Sequence, residues 1–281
     1  MSLLTINKLT DSVGAEVLGV DSGRLATDES LGAAVLDALE DNGVLVFPGL
    51  SLQPEAQVAF CRRLGEIDHS SDGHHLVAGI YPITLDKSKN ASADYLRATF
   101  DWHIDGCTPT NGECPQKATV LSAKQVADRG GETEFANSYA AYEAFSEDEK
   151  DRFGALRVMH SLEASQRRVH PDPSPELVAK WRSRPTHQHP LVWTHRSGRK
   201  SLVLGASADY VIGMDLDEGR ALLADLLDRA TRRDLVYSHR WSVGDTVIWD
   251  NNGVLHRAAP YDRESPREML RTTVLGDEPI Q

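Results

Sequence analysis

A single, mainly β domain with flanking helices, built as a sandwich or barrel, is the fold class that these 281 residues predict. Three observations lead there. The C-terminal part reads as successive short strands separated by turns: DLVYSHRW, a Val-Gly-Asp turn, TVIWD, an Asn-Asn-Gly turn, VLHRA and MLRTTVLG. The length suits one large domain whose core needs no staples. No internal repeat or low-complexity linker divides the chain, so one domain is expected over residues 1–281.

The elements follow in order. Residues 28–41 (DESLGAAVLDALED) carry Leu31, Val35 and Leu39 at helical spacing, and Asn42-Gly43 stops the run. VLVFPG (44–49) reads as a short buried strand. PEAQVAFCRRLG (54–65) has proline at its start and glycine at its end, the usual asymmetry of a helix. Residues 66–98 are polar, lack a period, and hold His69, His74, His75 and a loop around KSKNASAD. Their length and position make about 66–100 a candidate mobile lid. KATVLSAKQV (117–126) reads as a strand, and GGETEFAN (130–137) as a glycine turn and a second strand. Ser146 and Glu149 form a capping box for a helix to about residue 153. The prolines of 165–190 predict irregular chain. KSLVLGA (200–206) is strand-like, and DEGRALLADLLDRAT (217–231) sets Leu222, Leu223, Leu226 and Leu227 on one core-facing side.

Composition removes several function classes. With 40% hydrophobic and 26% charged residues the chain is an ordinary globular one. A net charge of −12 argues against nucleic acid and against an anionic membrane surface, both of which need clustered Lys and Arg. No apolar run is long enough to span a membrane. Cys61, Cys107 and Cys114 have no disulfide or zinc-knuckle spacing and read as reduced thiols. The N-terminus lacks the basic start of a signal peptide, so a cytoplasmic protein is expected. A homo-oligomer is compatible with all of this.

Residues i and i+2 of a strand share a face, so a His-x-Asp pair can offer an imidazole and a carboxylate to one metal. A distant histidine would complete a three-ligand face with open positions opposite. Two such pairs occur, His103-Ile104-Asp105 and His170-Pro171-Asp172. Spacing alone decides nothing, and a lone histidine such as His103 or His256 is more often a satisfied or surface residue. Context separates the pairs: prolines interrupt HPDPSP (170–175), whereas FDWHIDG (100–106) reads as a strand running into a loop.

WHID (102–105), GGETEFAN (130–137), WDNNGVLHRA (249–258) and SPREMLRTTVLGD (265–277) occur in that order. Together they resemble the taurine dioxygenase and 2,4-dichlorophenoxyacetate dioxygenase family. The likeness runs from VGAEVLGVD (13–21) to the end, and residues 220–251 are especially similar to its aryloxyacetate branch. The resemblance implies a double-stranded β-helix, a jelly-roll barrel with Fe(II) inside one end. It implies His103, Asp105 and His256 as metal ligands. Thr133 and Arg267 are implied as contacts of the 2-oxoglutarate co-substrate, and Arg271 as the receiver of a small anionic substrate. The implied reaction consumes O₂ and 2-oxoglutarate, releases succinate and CO₂, and hydroxylates a sulfonate, an aryloxyacid or another carboxylate. Hydroxylation beside a heteroatom would let the product fall apart to sulfite or a phenol. Asp105 stands against a halogenase variant.

Two departures are visible. Asn252 replaces the arginine that often follows WDN, which changes a turn, and the lid region matches poorly. His69 falls near a substrate-binding histidine of the family but reads as a solvated loop residue. Trp102, Phe135 and Trp249 read as core, Asp250 and Asn251 as turn-shaping, and Arg257 as outward-facing. On a strand Arg267 and Arg271 would share a face roughly 13 Å apart, far enough for two anion sites. A zinc hydrolase with the same ligands would need a general base and no Arg267. A non-catalytic jelly-roll binding protein would need no open metal face.

Overall fold

The structure, a computed structural model, describes residues 4–70, 75–109 and 114–281. His74 lies outside the described residues. Strands β1 (Thr5–Lys8) and β2 (Ala15–Leu18) pair first. Helix α1 (Ser22–Thr27) is capped by the Asp21 side chain, which accepts the Arg24 N–H. In α2 (Glu29–Asn42) the periodic positions Leu31, Val35 and Leu39 are buried. Gly43 ends that helix at φ 69°, its N–H closing on the Leu39 carbonyl. Then come β3 (Val44–Phe47), buried throughout, and α3 (Pro54–Leu64), which starts on its proline.

The polar stretch is more regular than its composition predicts. It holds β4 (Tyr81–Ile83) and α4 (Ala93–Leu96), which runs into a 3-10 turn at Arg97–Phe100. Three residues of strand carry no readable period; β4 exists because β15 offers it a partner edge. Next are β5 (Gln116–Gln125), β6 (Thr133–Asn137), α5 (Ser138–Glu143) and α6 (Glu147–Gly154), the last opened by the expected Ser146–Glu149 capping box. Strand β7 (Arg157–His160) and α7 (Leu162–Arg167) follow.

The expected irregularity of 165–190 is corrected by α8 (Pro175–Arg182) and β8 (His187–Pro190). Ser174 caps α8, and Pro175 sits at its first position, where the missing N–H would have had no partner anyway. The chain continues through β9 (Val192–Thr194), β10 (Lys200–Leu202), β11 (Ala208–Val211) and α9 (Leu216–Ala230). It ends with β12 (Val236–His239), β13 (Thr246–Asp250), β14 (Val254–Ala258) and β15 (Glu268–Leu275).

A seven-stranded sheet has the order β1-β2-β3-β13-β5-β15-β4, and a three-stranded one the order β12-β6-β14. Alternation along the large sheet explains how both its faces are apolar. Leu45, Phe47, Ile248, Leu270 and Val274 pack outward with α2 and α3. Val44, Val46, Val247, Trp249 and Met269 pack inward with Phe135 of the small sheet. The two sheets are the facing layers of a jelly roll. Among the described residues their ladders stay separate and do not close into the expected barrel. Helices α5, α6 and α9 share a further core with β7, β9, β10 and β11. Cys61 and Cys107 are buried free thiols, as read from their spacing, and Cys114 is half-buried.

Candidate metal centre

His256 is buried on β14, opposite Phe135 of β6. The expected strand at FDWHIDG shrinks to one residue: His103 forms an isolated antiparallel bridge with His256. Its N–H donates to the His256 carbonyl at 3.0 Å and its carbonyl accepts the His256 N–H at 2.9 Å. Close contacts on either side stop the ladder from growing. A Cβ on Gly205 would lie 2.6 Å from the Trp102 carbonyl oxygen, and Ala206 N–H donates to that oxygen at 2.7 Å. Gly106, at φ +88°, turns the chain away where a Cβ would meet Gln116 N at 2.7 Å. The bridge still sets the alternation. His103 and Asp105 face the inter-sheet space, while Ile104 is buried in the helical core.

One ligating atom each from His103, Asp105 and His256 lie within 4.8 Å of one another. His103 donates Nδ1–H to the Asp101 carbonyl at 2.9 Å, which leaves Nε2 free to point inward. That Nε2 is 3.8 Å from Asp105 Oδ1, and His256 Nε2 is 3.7 Å from Asp105 Oδ2. Burial, helped by the neighbouring His103, pushes His256 down to about 3, so its ring is neutral. Burial acts to raise the Asp105 carboxyl, but His256, Arg271, His103 and the Thr119 hydroxyl outweigh it and hold the group below its ordinary range. Two imidazoles and one ionised carboxylate therefore converge.

Thr133, Arg267 and Arg271 line the same cavity as the trio. Thr133 starts β6, is buried, and accepts the Trp241 indole N–H at 2.9 Å. Arg267 is only 2% exposed, and its Nε is buried with no partner. Gly131, at φ +75°, lets the guanidinium approach to where a Cβ would lie 3.0 Å from Nε. Arg267 donates to the Gly131 carbonyl at 3.2 Å and lies 4.8 Å over the Tyr261 ring. Arg271 lies 5.0 Å over Tyr81, and its Nε is also buried and unpartnered. Arg267 stands just before β15. The register shift beside it pairs Glu268 with Gln125 and Met269 with Ala123, so the extra residue, Lys124, is on β5. Alternation on β15 is thus unbroken, and both arginines face one cavity.

Sequence reading missed the two tyrosines under the arginines. Tyr81 sits in the stretch without a period, and Tyr261 in a loop between two matched motifs. Ile83, Leu96 and Thr99 of the lid region also line the cavity. Trp249, assigned to the core, is both core and cavity wall. Arg257, expected to face outward, is paired with Glu134 and stacked 4.6 Å over Trp102, yet it also contributes to the cavity lining, because its half-buried side chain lies at the cavity rim. The rival pair fails: His170 and Asp172 lie in the loop after α7, with Asp172 exposed. His69 is exposed too. A larger surface concavity, about 860 Å³, involves α7 and α9, but there Glu163 already pairs with Arg167 and Arg182.

Residues 5–273 match the family described as taurine catabolism dioxygenase TauD, TfdA family. The alpha-ketoglutarate-dependent 2,4-dichlorophenoxyacetate dioxygenase of Cupriavidus pinatubonensis is 36% identical over 267 residues, 89% of this chain and 91% of that one. The (S)-phenoxypropionate/alpha-ketoglutarate-dioxygenase of Sphingobium herbicidovorans is 33% identical over 97% of this chain and 95% of its own. Among solved structures, AAD-2 in complex with Mn(II) and N-oxalylglycine superposes with a TM-score of 0.83 at 30% identity, over 99% of each chain. No helix of the described residues is long and apolar enough to cross a membrane. The chain belongs to the TauD/TfdA family, and so is a dioxygenase, an oxidoreductase that uses Fe(II), 2-oxoglutarate and O₂.

Proposed function

We propose that His103, Asp105 and His256 hold Fe(II), that Thr133 and Arg267 hold 2-oxoglutarate, and that Arg271 receives the anionic group of a small, largely apolar acid. The acid is an aryloxyacid, a sulfonate or another carboxylate, and it is hydroxylated. The carrying observation is the convergence of three ligating atoms within 4.8 Å, in one cavity with two arginines whose Nε atoms are buried and unpartnered.

The donor set fits ferrous iron: neutral imidazole and ionised carboxylate on one side, with room opposite. His256 need lose no proton to bind, because burial already keeps it neutral. Once bound, the iron with O₂ and 2-oxoglutarate supplies oxidation of a C–H bond, with release of succinate and CO₂. The rest falls to the chain. Arg267 offers a desolvated fork to the far carboxylate of 2-oxoglutarate, with Thr133 beside it. Arg271, held by Tyr81, anchors the substrate. Ile83, Leu96, Leu121 and Trp249 give its body an apolar wall that excludes water. Among the described residues lining the cavity, Asp105 is the one carboxylate, so an ammonium group on the substrate would find no counter-ion. The same lining offers no general base for zinc hydrolysis.

The described residues between about 66 and 100 act as the lid of one dioxygenase domain, since Ile83, Leu96 and Thr99 wall the cavity. Hydrogen exchange there should slow on substrate binding; equal, strong protection in both states refutes the lid. The buried free thiols Cys61 and Cys107 suit a reducing cytoplasm.

The test is succinate release over a panel of aryloxyacids, alkyl sulfonates, simple carboxylates and taurine, with wild type and Arg271→Ala. Apolar acids should stimulate the wild type most. Arg271→Ala should lose that stimulation while keeping 2-oxoglutarate affinity and uncoupled 2-oxoglutarate oxidation. Stimulation by apolar acids that survives in Arg271→Ala overturns the substrate assignment.

A further inference from the structure

Asp105 does not meet the histidines alone. Thr119 lies on β5, two residues before Leu121 and so on the same inward face, and is wholly buried. Its hydroxyl donates to Asp105 Oδ2 at 3.1 Å. Behind it stands Asn251, also wholly buried, whose Nδ2–H donates to Thr119 Oγ1 at 2.9 Å. The Asn251 backbone N–H is tied to the Lys117 carbonyl at 3.0 Å, so the amide has a fixed base in the turn after β13.

The direction of this chain follows from the chemistry of a hydroxyl. Thr119 has one proton, and an ionised carboxylate can only accept. Giving that proton to Asp105 leaves lone pairs on Oγ1 that accept from Asn251. Turning the amide over would draw the Thr119 proton toward Asn251 and set hydroxyl lone pairs against carboxylate lone pairs in a buried site. The orientation is kept although Asn251 Oδ1 is left buried and without a partner. An acceptor left in that state marks the N–H as the group the position is built around.

We propose that Thr119 and Asn251 are positioning residues that make Asp105 a one-oxygen metal ligand. Their hydrogen bonds hold the plane of the carboxylate and engage Oδ2. Oδ1 is then presented to the metal, chelation by both oxygens is disfavoured, and positions stay open for the co-substrate. Asn251 polarises the Thr119 hydroxyl and keeps it from rotating away. The proposal rests on the reading of Asp105 as a ligand.

The experiment is titration of the metal-free full chain with Mn(II), following free Mn(II) by electron paramagnetic resonance, with the melting temperature of each metal-free variant beside it. Asp105→Ala should lose specific binding. Thr119→Val, nearly isosteric, should bind about 10- to 100-fold more weakly, the usual effect of removing a partner of a metal ligand. Thr119→Ser, which restores the hydroxyl, should bind near wild type, and Asn251→Ala should fall between. Wild-type affinity in Thr119→Val overturns the positioning role. So does a Thr119→Ser variant as weak as Thr119→Val, because the hydroxyl would then not be the group that matters. If Asp105→Ala itself binds Mn(II) like wild type, the ligand assignment is what fails.

Discussion

Two groups of three buried or partly buried side chains rich in histidine sit in this molecule, and they differ in what their nitrogens do. His187 and His189 are two residues apart on β8, stacked 5.9 Å apart at an interplanar angle of 6°, with His160 of β7 5.2 Å from His189. By strand spacing this is a better ligand pair than WHID, which is barely a strand. Yet His187 Nε2 bonds the Pro109 carbonyl at 2.9 Å and His189 Nε2 the Cys107 carbonyl at 2.8 Å. His160 Nδ1 meets the Ser207 hydroxyl at 3.0 Å. The two Nε2 atoms of His187 and His189 hold the chain that leaves Asp105, and the unpartnered Nε2 of His160 has no carboxylate among the groups acting on it. At His103, Asp105 and His256 the backbone takes Nδ1 of His103 and leaves both Nε2 atoms facing one carboxylate. A shared face brings rings together, but unsatisfied nitrogens beside a carboxylate mark the candidate metal centre.

The largest effect should come from removing that carboxylate. Asp105→Ala should abolish coupled turnover and weaken metal binding, whereas His189→Ala should keep metal binding and lower the melting temperature. Asp172→Ala should leave both unchanged. A folded His189→Ala that cannot bind Mn(II) would erase the distinction between the two groups.

Arg267 carries the comparison to the co-substrate, since its Nε is left without a protein partner. Arg267→Ala should raise the KM for 2-oxoglutarate by about 30-fold or more, from the roughly 2–5 kcal/mol lost when a buried charge pair is broken. Steady-state kinetics with 2-oxoglutarate varied checks this. An unchanged KM would mean that another cation holds it.

The structural histidines should show themselves in acid. Burial, with His189 and His187 adding to it, pushes His160 from 6.5 to about 3. Below pH 6.5 the unfolded chain takes a proton that the fold refuses. The stability is whole above that pH and drains away toward about 3, by a few kcal/mol at most. Asp250 has the opposite sign. Burial raises its carboxyl from 3.8 to about 7, so it costs stability increasingly as pH rises through that window. Denaturant melts across pH should show His160→Gln flattening the acid loss and Asp250→Asn flattening the decline toward neutral. Parallel curves for wild type and either variant would contradict the burial argument.

Thr133→Val should have the smallest effect, a rise of up to about tenfold in the KM for 2-oxoglutarate, the scale of one hydrogen bond of roughly 1 kcal/mol. An effect as large as that of Arg267→Ala would make Thr133 a principal anchor.

Much of the fold is legible because its signals are local. A capping box, a Pro-to-Gly helix and the turns between β12, β13, β14 and β15 each depend on a few adjacent residues, and the structure keeps them all. The prolines of 165–190 misled the reading, although Ser174-Pro175 is itself a helix start. The four ordered motifs brought the trio and both arginines into view through family likeness. Tyr81 and Thr119 had no such signal, because what each touches lies far along the chain; Tyr261 lies between two matched motifs, and Asn251, inside one, reads only as turn-shaping because its partner Thr119 is distant in sequence.

By itself, then, the sequence determined the residue types, the alternation that makes both faces of the large sheet apolar, and the turns that stack its C-terminal strands. Tertiary structure alone decided which histidine nitrogens stay free, that a single backbone bridge joins His103 to His256, and that Thr119 and Asn251 stand behind Asp105. The reason is physical. Periodicity and capping are properties of neighbours in the chain, whereas a metal site depends on hydrogen bonds left unmade. Which bonds remain unmade is settled only when distant segments have claimed the rest.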